Sequence, residues 1–424
     1  MGEINYRKRG KKWEYRFEAA PVDGKRKQIS KGGFTTKAEC IIAAEDAKRR
    51  YNSPGKITAP KEISISDYLD YWFDHYCVMN TAYNTQLSYI GIIKNHLKPQ
   101  FGIYKLNALS TAAVQEYIYD LKKAGLSKNT IVGIISVLSG AYEYAIEPLH
   151  YLDANPCDRV KYPKFESKSD KGHYYIAPET FKNIIELFPD KDYFRIPIII
   201  GYRCGLRIGE VFGLTWDDID FKNNTISIKR QIIKRNYGVE VRQVVEKKKK
   251  KEEKSRWYLA TLKTPMAVRT ISVDIDTMNI LKKYHRKQLE NRLEYGEYYT
   301  EQYLQDEKDE KGNTIQRIIP VQRCIPCMLP QADVVFRREN GEYISTDSFK
   351  YASRVIHNKI SEPFDFHSLR HTHATMLAEA GANPEAVRKR MGHTDIKITL
   401  KYYTHVTEKL EADMMEKIEK FVHA

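Results

Sequence analysis

The sequence predicts a multidomain chain. A small α+β N-terminal module, a three-stranded sheet plus one helix, precedes an all-α block. A mixed, mainly α region with a small antiparallel sheet follows. Three observations lead there. The chain has 424 residues, and a domain typically takes ~150. Linker chemistry interrupts it twice, at Asn52-Ser-Pro-Gly with Ala59-Pro60, and at Pro156, Pro163 and the polar run Glu166–Gly172. The hydrophobic period is two before the first interruption and helical after it, and beyond the second the two mix.

Trp13, Tyr15 and Phe17 alternate with Glu14, Arg16 and Glu18, the pattern of a half-buried strand. Asp23-Gly24 is a tight-turn dipeptide, and Lys25–Lys31 reads as the return strand. Thr36 followed by Glu39 forms a capping box that starts a helix running to about Tyr51. In the next block Leu69, Trp72, Phe73 and Tyr76 recur at helix spacing, as do Val114, Ile118 and Leu121. Ser127 caps a stripe of Ile131, Ile134, Ile135, Leu138, Tyr142 and Ala145. These stripes are core faces.

Pro178 near the first turn suits a helix carrying Phe181, Ile184, Ile185 and Phe188. Thr225–Ile233 and Thr270–Val273 read as strands around a connection whose Lys247–Lys251 run is a solvated loop. Tyr284–Pro330 is charged and weakly periodic, an insertion or a long helix with a loop.

Composition excludes several classes. With 42% apolar and 12% aromatic residues the chain has material for packed cores and is not mainly disordered. The densest apolar stretch, Phe194–Tyr202, is far short of the ~18–20 residues of a membrane span, so no membrane partner is expected. The N-terminus mixes charges with aromatics, so no signal peptide is expected. Six cysteines are too few for a disulfide framework and point to a reduced cytosol. The net charge is +15, and the first 60 residues hold 15 Lys and Arg against 7 Asp and Glu. About half the excess therefore sits in the first module. The expected partner is a polyanion.

Four clusters carry possible chemistry. Gly205-Leu206-Arg207-Ile208-Gly209-Glu210 places an arginine just after a glycine turn, at a helix start. Lys263-Thr264 and then Arg269-Thr270 fall at a predicted β-turn-β. In His367-Ser368-Leu369-Arg370-His371-Thr372-His373, His367 and Arg370 share one helix face. Gly392-His393 precedes Tyr402-Tyr403-Thr404-His405 by about ten residues. Cleaving a phosphodiester without a metal calls for planar, permanently charged donors on the nonbridging oxygens, which Arg207 and Arg370 supply. It also calls for a hydroxyl nucleophile, as tyrosine has, and a proton donor for the leaving 5′ oxygen, such as a lysine on a turn. His367 and His393 can donate to phosphoryl oxygens or handle the tyrosine proton. No carboxylate cluster fit for two magnesium ions is apparent, so neither metal nor cofactor is expected.

The segments GLRIGE, LKT…RT, HSLRHTHAT, MGH and YYTHV, in this order over about 200 residues, resemble the boxes of tyrosine recombinases, the phage-integrase family. The resemblance implies Tyr403 as nucleophile, Arg207 and Arg370 as phosphate clamp, Lys263 as general acid, and His367 and His393 in support. Glu210 matches the family's acidic position and would brace the site. Tyr402 and Tyr403 point about 100° apart on a helix, and the family's Y-T-H pattern favours Tyr403. Ser368 stands where the family commonly has an acid. His371, His373 and His405 are expected to pack near the site without catalysing.

Upstream, residues 1–55 resemble an arm-type DNA-binding domain and 64–160 a helical core-binding domain, with 174–424 as the catalytic domain and its tail helix. This order is most similar to integrases of conjugative transposons and temperate phages. It implies a bacterial, cytoplasmic enzyme, nucleoid-associated when on DNA, that integrates and excises a mobile element through a 3′-phosphotyrosyl intermediate. Implied partners are double-stranded DNA at core and arm sites, a homotetramer on that DNA, and an excisionase or DNA-bending protein. A binding-only protein and a relaxing topoisomerase are the rival readings. The tail stripe Leu410, Met414, Ile418 and Phe421/Val422 would dock on its own domain or, as the family implies, on a neighbouring protomer. Cys324-Ile-Pro-Cys327 has the spacing of half a zinc knuckle and is read as two loop thiols.

Overall fold

The alternating stretch at Trp13–Glu18 becomes the middle strand of an antiparallel sheet of order β1-β2-β3, with β1 at Asn5–Arg9, β2 at Lys12–Val22 and β3 at Lys25–Phe34. The computed structural model describes residues 4–22, 25–52, 63–165, 175–190, 192–236, 255–309, 311–360 and 364–403. The Asp23-Gly24 turn, the Lys247–Lys251 run, the Glu166–Gly172 segment, His405 and the tail stripe lie outside the described residues. The chain divides into two compact units, Met1–Phe165 and Glu166–Ala424, so both N-terminal modules read from the sequence fall in the first.

Successive strand side chains point to opposite faces, and Tyr15 and Phe17 are buried in one cluster with Cys40 and Ala44 of helix α1 (Lys37–Asn52). The capping box forms as the sequence indicates. Thr36 Oγ1 accepts from the Glu39 amide and Glu39 Oε2 from the Thr36 amide, each at 3.2 Å. On the other face Arg16 lies between Asn5 and Ser30 in register, and all three are exposed.

The helical block comprises α2 (Ile65–Trp72), α3 (Val78–Asn80), α4 (Tyr83–Ile92), α5 (Lys98–Phe101), α6 (Thr111–Lys123) and α7 (Lys128–Ile146). α2 runs into α3 and α4 into α5 through π turns at Phe73–Cys77 and Ile93–Leu97. The hydroxyls of Ser64, Ser110 and Ser127 accept from the Asp67, Ala113 and Thr130 amides and cap α2, α6 and α7. The stripes named above are buried, each large side chain contributing about 1.5–3 kcal/mol. Tyr76 is the exception, at the surface with its ring 5.0 Å from that of Tyr144.

The second unit opens with α8 (Pro178–Glu186), α9 (Arg195–Cys204) and α10 (Ile208–Val211). Strands β4 (Ile219–Asp220), β5 (Thr225–Ile228), β6 (Arg230–Asn236), β7 (Ser255–Thr261) and β8 (Arg269–Ser272) follow. Then come α11 (Ile275–Tyr295), β9 (Thr300–Lys308) and β10 (Thr314–Gln322). The final helices are α12 (Phe349–Ile360), α13 (Phe366–Glu379), α14 (Pro384–Met391) and α15 (Ile396–Tyr403). One core joins Ile198 of α9, Phe212, Ile226 of β5, Phe336 and Leu369 of α13.

Two sheets replace the single small one read from the sequence. β4-β5-β8 is three-stranded, and β6-β7-β10-β9 is four-stranded and antiparallel throughout. The Tyr284–Pro330 stretch corrects accordingly: its first part completes α11, and β9 and β10 pair as an antiparallel hairpin in the remainder. β9, TEQYLQDEK, hides from a periodicity argument because its buried end holds Thr300, Glu301 and Gln302. Their burial is made possible by partners elsewhere. Arg292 and Arg323 pair with Glu301, and Gln302 donates to the Gly341 carbonyl at 3.0 Å. Among the described residues no helix is long and apolar enough to cross a membrane. Cys324 is exposed and Cys327 half-buried, both as free thiols.

Candidate active site

Helix α9 ends at Cys204, and Gly205 reverses the chain with φ +68°. A Cβ there would sit 2.5 Å from the His373 ring, so glycine answers both backbone and space. Leu206 is buried, and Arg207 caps α10. The Arg207 amide donates to Glu210 Oε2 at 3.0 Å, and its Nη1 donates to Oε1 at 2.8 Å. The Arg207 side chain is 40% exposed while Glu210 is 2% exposed, so the acid is the floor and the arginine the rim.

Arg370 is fully buried on α13. Its Nη1 donates to the Gly205 carbonyl at 2.8 Å and its Nη2 to the Met391 carbonyl. These backbone anchors fix the plane of the guanidinium. Burial first, then the positive charge of Arg207 and of Arg269, pushes Arg370 down to about 9, with Glu210 pulling the other way. It stays charged at neutral pH. For Glu210, burial would lift the carboxyl, but Arg269 and then Arg370 and Arg207 hold it below the ordinary carboxylate range. Two guanidiniums, Arg207 and Arg269, bond this carboxylate, and the charge of a third, Arg370, acts on it without a hydrogen bond. The imbalance suits an incoming phosphate.

His393 follows Gly392, whose φ of +64° ends α14. It is buried, with Nδ1 3.0 Å from Thr399 Oγ1. Burial, followed by Arg370, Arg207, Arg269 and His367, pushes it down to about 3, so it is neutral in the folded protein. His367 lies exposed on the first turn of α13, its ring 5.6 Å from that of His371. Lys263 is exposed in the bend after β7.

The two tyrosines part company. Tyr402 is buried, with its ring 4.8 Å from His371 and 6.3 Å from His393, parallel to the latter within 7°. Burial lifts its phenol, while Arg370 and Arg207 act in the opposite sense. Tyr403 donates its hydroxyl to the Ala382 carbonyl, and burial lifts its phenol also. The structure thus gathers Arg207, Arg370 and His393, and it brings Tyr402 beside them while Tyr403 faces Ala382.

In the sequence Arg269 stands only as part of the LKT…RT segment, with no role of its own. Nor is a role legible there for Thr399, the partner of His393, or for Arg390, whose Nε donates to His373 Nε2 at 3.0 Å. His373 Nδ1 lies 3.1 Å from the Tyr202 carbonyl, and burial followed by Arg390 pushes the imidazole down to about 4. Arg269 lies 59 residues from Glu210 and Arg390 17 from His373, beyond any local motif, whereas Thr399 is six residues from His393 and carries no residue type that marks it.

The fold is that of tyrosine-recombinase integrases. The transposon Tn1549 integrase in complex with a circular intermediate DNA superposes with a TM-score of 0.61 at 22% identity, covering 84% of this chain and 99% of that one. A lambda integrase dimer bound to a core site gives 0.51 at 15%, covering 92% of each chain. Residues 178–251 and 253–409 match the phage integrase family, 64–122 its N-terminal SAM-like domain, and 5–50 an Arm DNA-binding domain. The chain belongs to the phage integrase family. Among relatives, a tyrosine recombinase XerC-like protein of Caldanaerobacter subterraneus subsp. tengcongensis is 26% identical, over 84% of this chain and 83% of its own. The integrase of Staphylococcus phage L54a is 25% identical (86% and 94%), and the ICEBs1 integrase of Bacillus subtilis 23% (95% of each).

Proposed function

We propose that the chain is a tyrosine-type site-specific DNA recombinase that integrates and excises a mobile genetic element. The observation that carries this reading is the convergence of Arg207 and Arg370 with neutral His393 on the floor made by Glu210. In this reading the scissile phosphate enters between the two arginines, whose charge meets the negative charge developing on the nonbridging oxygens. His393 donates a hydrogen bond to one of them, and His367 stands at the rim. Tyr403 leaves the Ala382 carbonyl, gives its phenol proton to His367 and attacks phosphorus, forming a 3′-phosphotyrosyl ester as the bond to the 5′ oxygen breaks. Lys263 gives a proton to the departing 5′ oxygen. The ester retains the energy of the broken bond, so a 5′ hydroxyl of the partner duplex reseals without ATP.

Residues 1–55 are assigned to the arm site, 64–160 to the core site, and 174–424 to catalysis. Two tethered DNA-binding modules raise avidity without new contacts. Four protomers would act on two duplexes, with an excisionase or bending protein setting direction in the bacterial cytoplasm.

The position of Tyr402 supports a second reading, in which it is the nucleophile, since its ring already lies beside His393 and His371. A nicked suicide duplex carrying the element's end, incubated in EDTA, separates the two. A covalent protein–DNA band lost in Tyr403→Phe and retained in Tyr402→Phe supports Tyr403; the reverse assigns Tyr402. Specific binding without any covalent band, across core and accessory-protein variations, would favour the binding-only rival.

A further inference from the structure

We infer that Arg269 is a positioning residue of the cleavage site: it holds the Glu210 carboxylate from behind and thereby sets how far Arg207 reaches toward a bound phosphate. The inference rests on the assignment of Arg207 as a phosphate clamp proposed above. The Arg269 side chain is 6% exposed, against 40% for Arg207. It has little surface to offer DNA.

Its donors are committed inward. Nη2 donates to Glu210 Oε2 at 2.9 Å, and Nη1 to Oε1 at 3.2 Å and to the Ala267 carbonyl at 2.8 Å. Nε donates to the Arg390 carbonyl at 2.6 Å. Each Glu210 oxygen thus accepts once from Arg269 and once from Arg207. That division has a consequence for Arg207. A buried carboxylate left with one cationic partner draws that partner in, because an uncompensated buried charge is costly. With Arg269 taking half of the carboxylate, Arg207 gives Glu210 one guanidinium nitrogen and its side chain stays part-exposed at the rim.

The same side chain ties three segments that carry other site residues. Arg269 opens β8 just after the bend holding Lys263, Glu210 belongs to α10, and the Arg390 carbonyl lies in the last turn of α14 shortly before His393. Gly392 leaves room for it, since a Cβ there would meet Arg269 Nη1 at 3.1 Å and its Cδ at 3.3 Å. A lysine cannot replace the fork, because it is a point charge without bidentate geometry.

The test measures single-turnover cleavage of a suicide duplex by the full-length protein, with the scissile group either a phosphodiester or a neutral methylphosphonate. Gel shifts and melting temperatures are recorded in parallel. Arg269→Met and Arg269→Lys are expected to slow phosphodiester cleavage about 100-fold, the scale of a misplaced catalytic group, with DNA affinity unchanged. The loss should shrink on the methylphosphonate, which presents one negative charge fewer for Arg207 to meet. Adding Glu210→Gln to Arg269→Met should recover part of the rate by removing the orphaned carboxylate. If Arg269→Met does not fold, Arg269→Lys carries the comparison. A loss equal on both substrates and unrelieved by Glu210→Gln would overturn the inference, as would wild-type rates. Arg207→Lys runs alongside: its cleaving like the wild type would overturn the Arg207 assignment itself, whereas its failing while Arg269→Met cleaves normally would overturn the inference alone.

Discussion

His393 and Thr399 meet at 3.0 Å, imidazole Nδ1 to hydroxyl, and both side chains are buried. The hydroxyl fixes the ring plane and leaves Nε2 for other contacts. Thr399→Val keeps the shape but leaves Nδ1 without its partner, at a cost of about 1–3 kcal/mol. Single-turnover cleavage should fall roughly tenfold on that basis, and Thr399→Ser should restore it. An unaltered rate in Thr399→Val would separate the contact from the chemistry.

A second expectation concerns pH. Because His393 is pushed down to about 3, it gains no proton anywhere between pH 8 and pH 5. The rate profile should therefore lack an inflection belonging to His393 in that range. Profiles of the wild type and His393→Gln should differ in height and share their shape. A step near the ordinary histidine value that vanishes in His393→Gln would contradict the buried, neutral imidazole.

Much of this was visible in the sequence where the cause is local. The Thr36–Glu39 capping box, the Ser127 cap and the Gly205 reversal involve neighbours a few residues apart, and each appears as read. The β9–β10 hairpin was hidden because its buried positions are polar and depend on Arg292, Arg323 and Gly341. Arg269 was hidden for a similar reason: Glu210 lies 59 residues before it. The adjacent tyrosines show a different limit. A helix places them on different faces, but only packing against Ala382 and His371 determines which hydroxyl goes where.

His373 gives a stability test. Its Nε2 accepts from Arg390 while Nδ1 lies against the Tyr202 carbonyl, an arrangement that requires the neutral ring. Its value of about 4 is depressed from the ordinary 6.5. As pH falls below the unfolded value the unfolded chain takes up a proton that the folded one refuses, so stability is lost as pH falls toward 4. Melting temperature should drop over that window. His373→Gln, which keeps an acceptor for Arg390, should flatten the drop; an unchanged slope would assign it to other groups.

Gly205→Ala should be among the more damaging small substitutions. The positive φ costs a side chain about 1 kcal/mol or more, and the added Cβ would collide with His373. Since the Gly205 carbonyl anchors Arg370, the same shift would displace the buried guanidinium. A lowered melting temperature together with lost cleavage is expected. Wild-type cleavage at a lowered melting temperature would show that Arg370 does not depend on this anchor.

Arg16 provides the corresponding test of the N-terminal sheet. Tyr15 and Phe17 turn into the core against α1, which leaves Arg16 on the opposite face between Asn5 and Ser30, with Arg7 exposed on the neighbouring strand. If that face meets arm-site DNA, Arg16→Ala should weaken arm-site binding by about 1–3 kcal/mol when the contact is to a base edge. Arg7→Ala, if it meets a phosphate, should weaken binding to all sequences and reduce the salt dependence. Neither should alter cleavage of a core-site suicide duplex, because both residues belong to a module assigned to a separate DNA site. In the two-site reading proposed above, integration should fall in the double variant. Normal integration by Arg7→Ala/Arg16→Ala would remove this face from arm recognition.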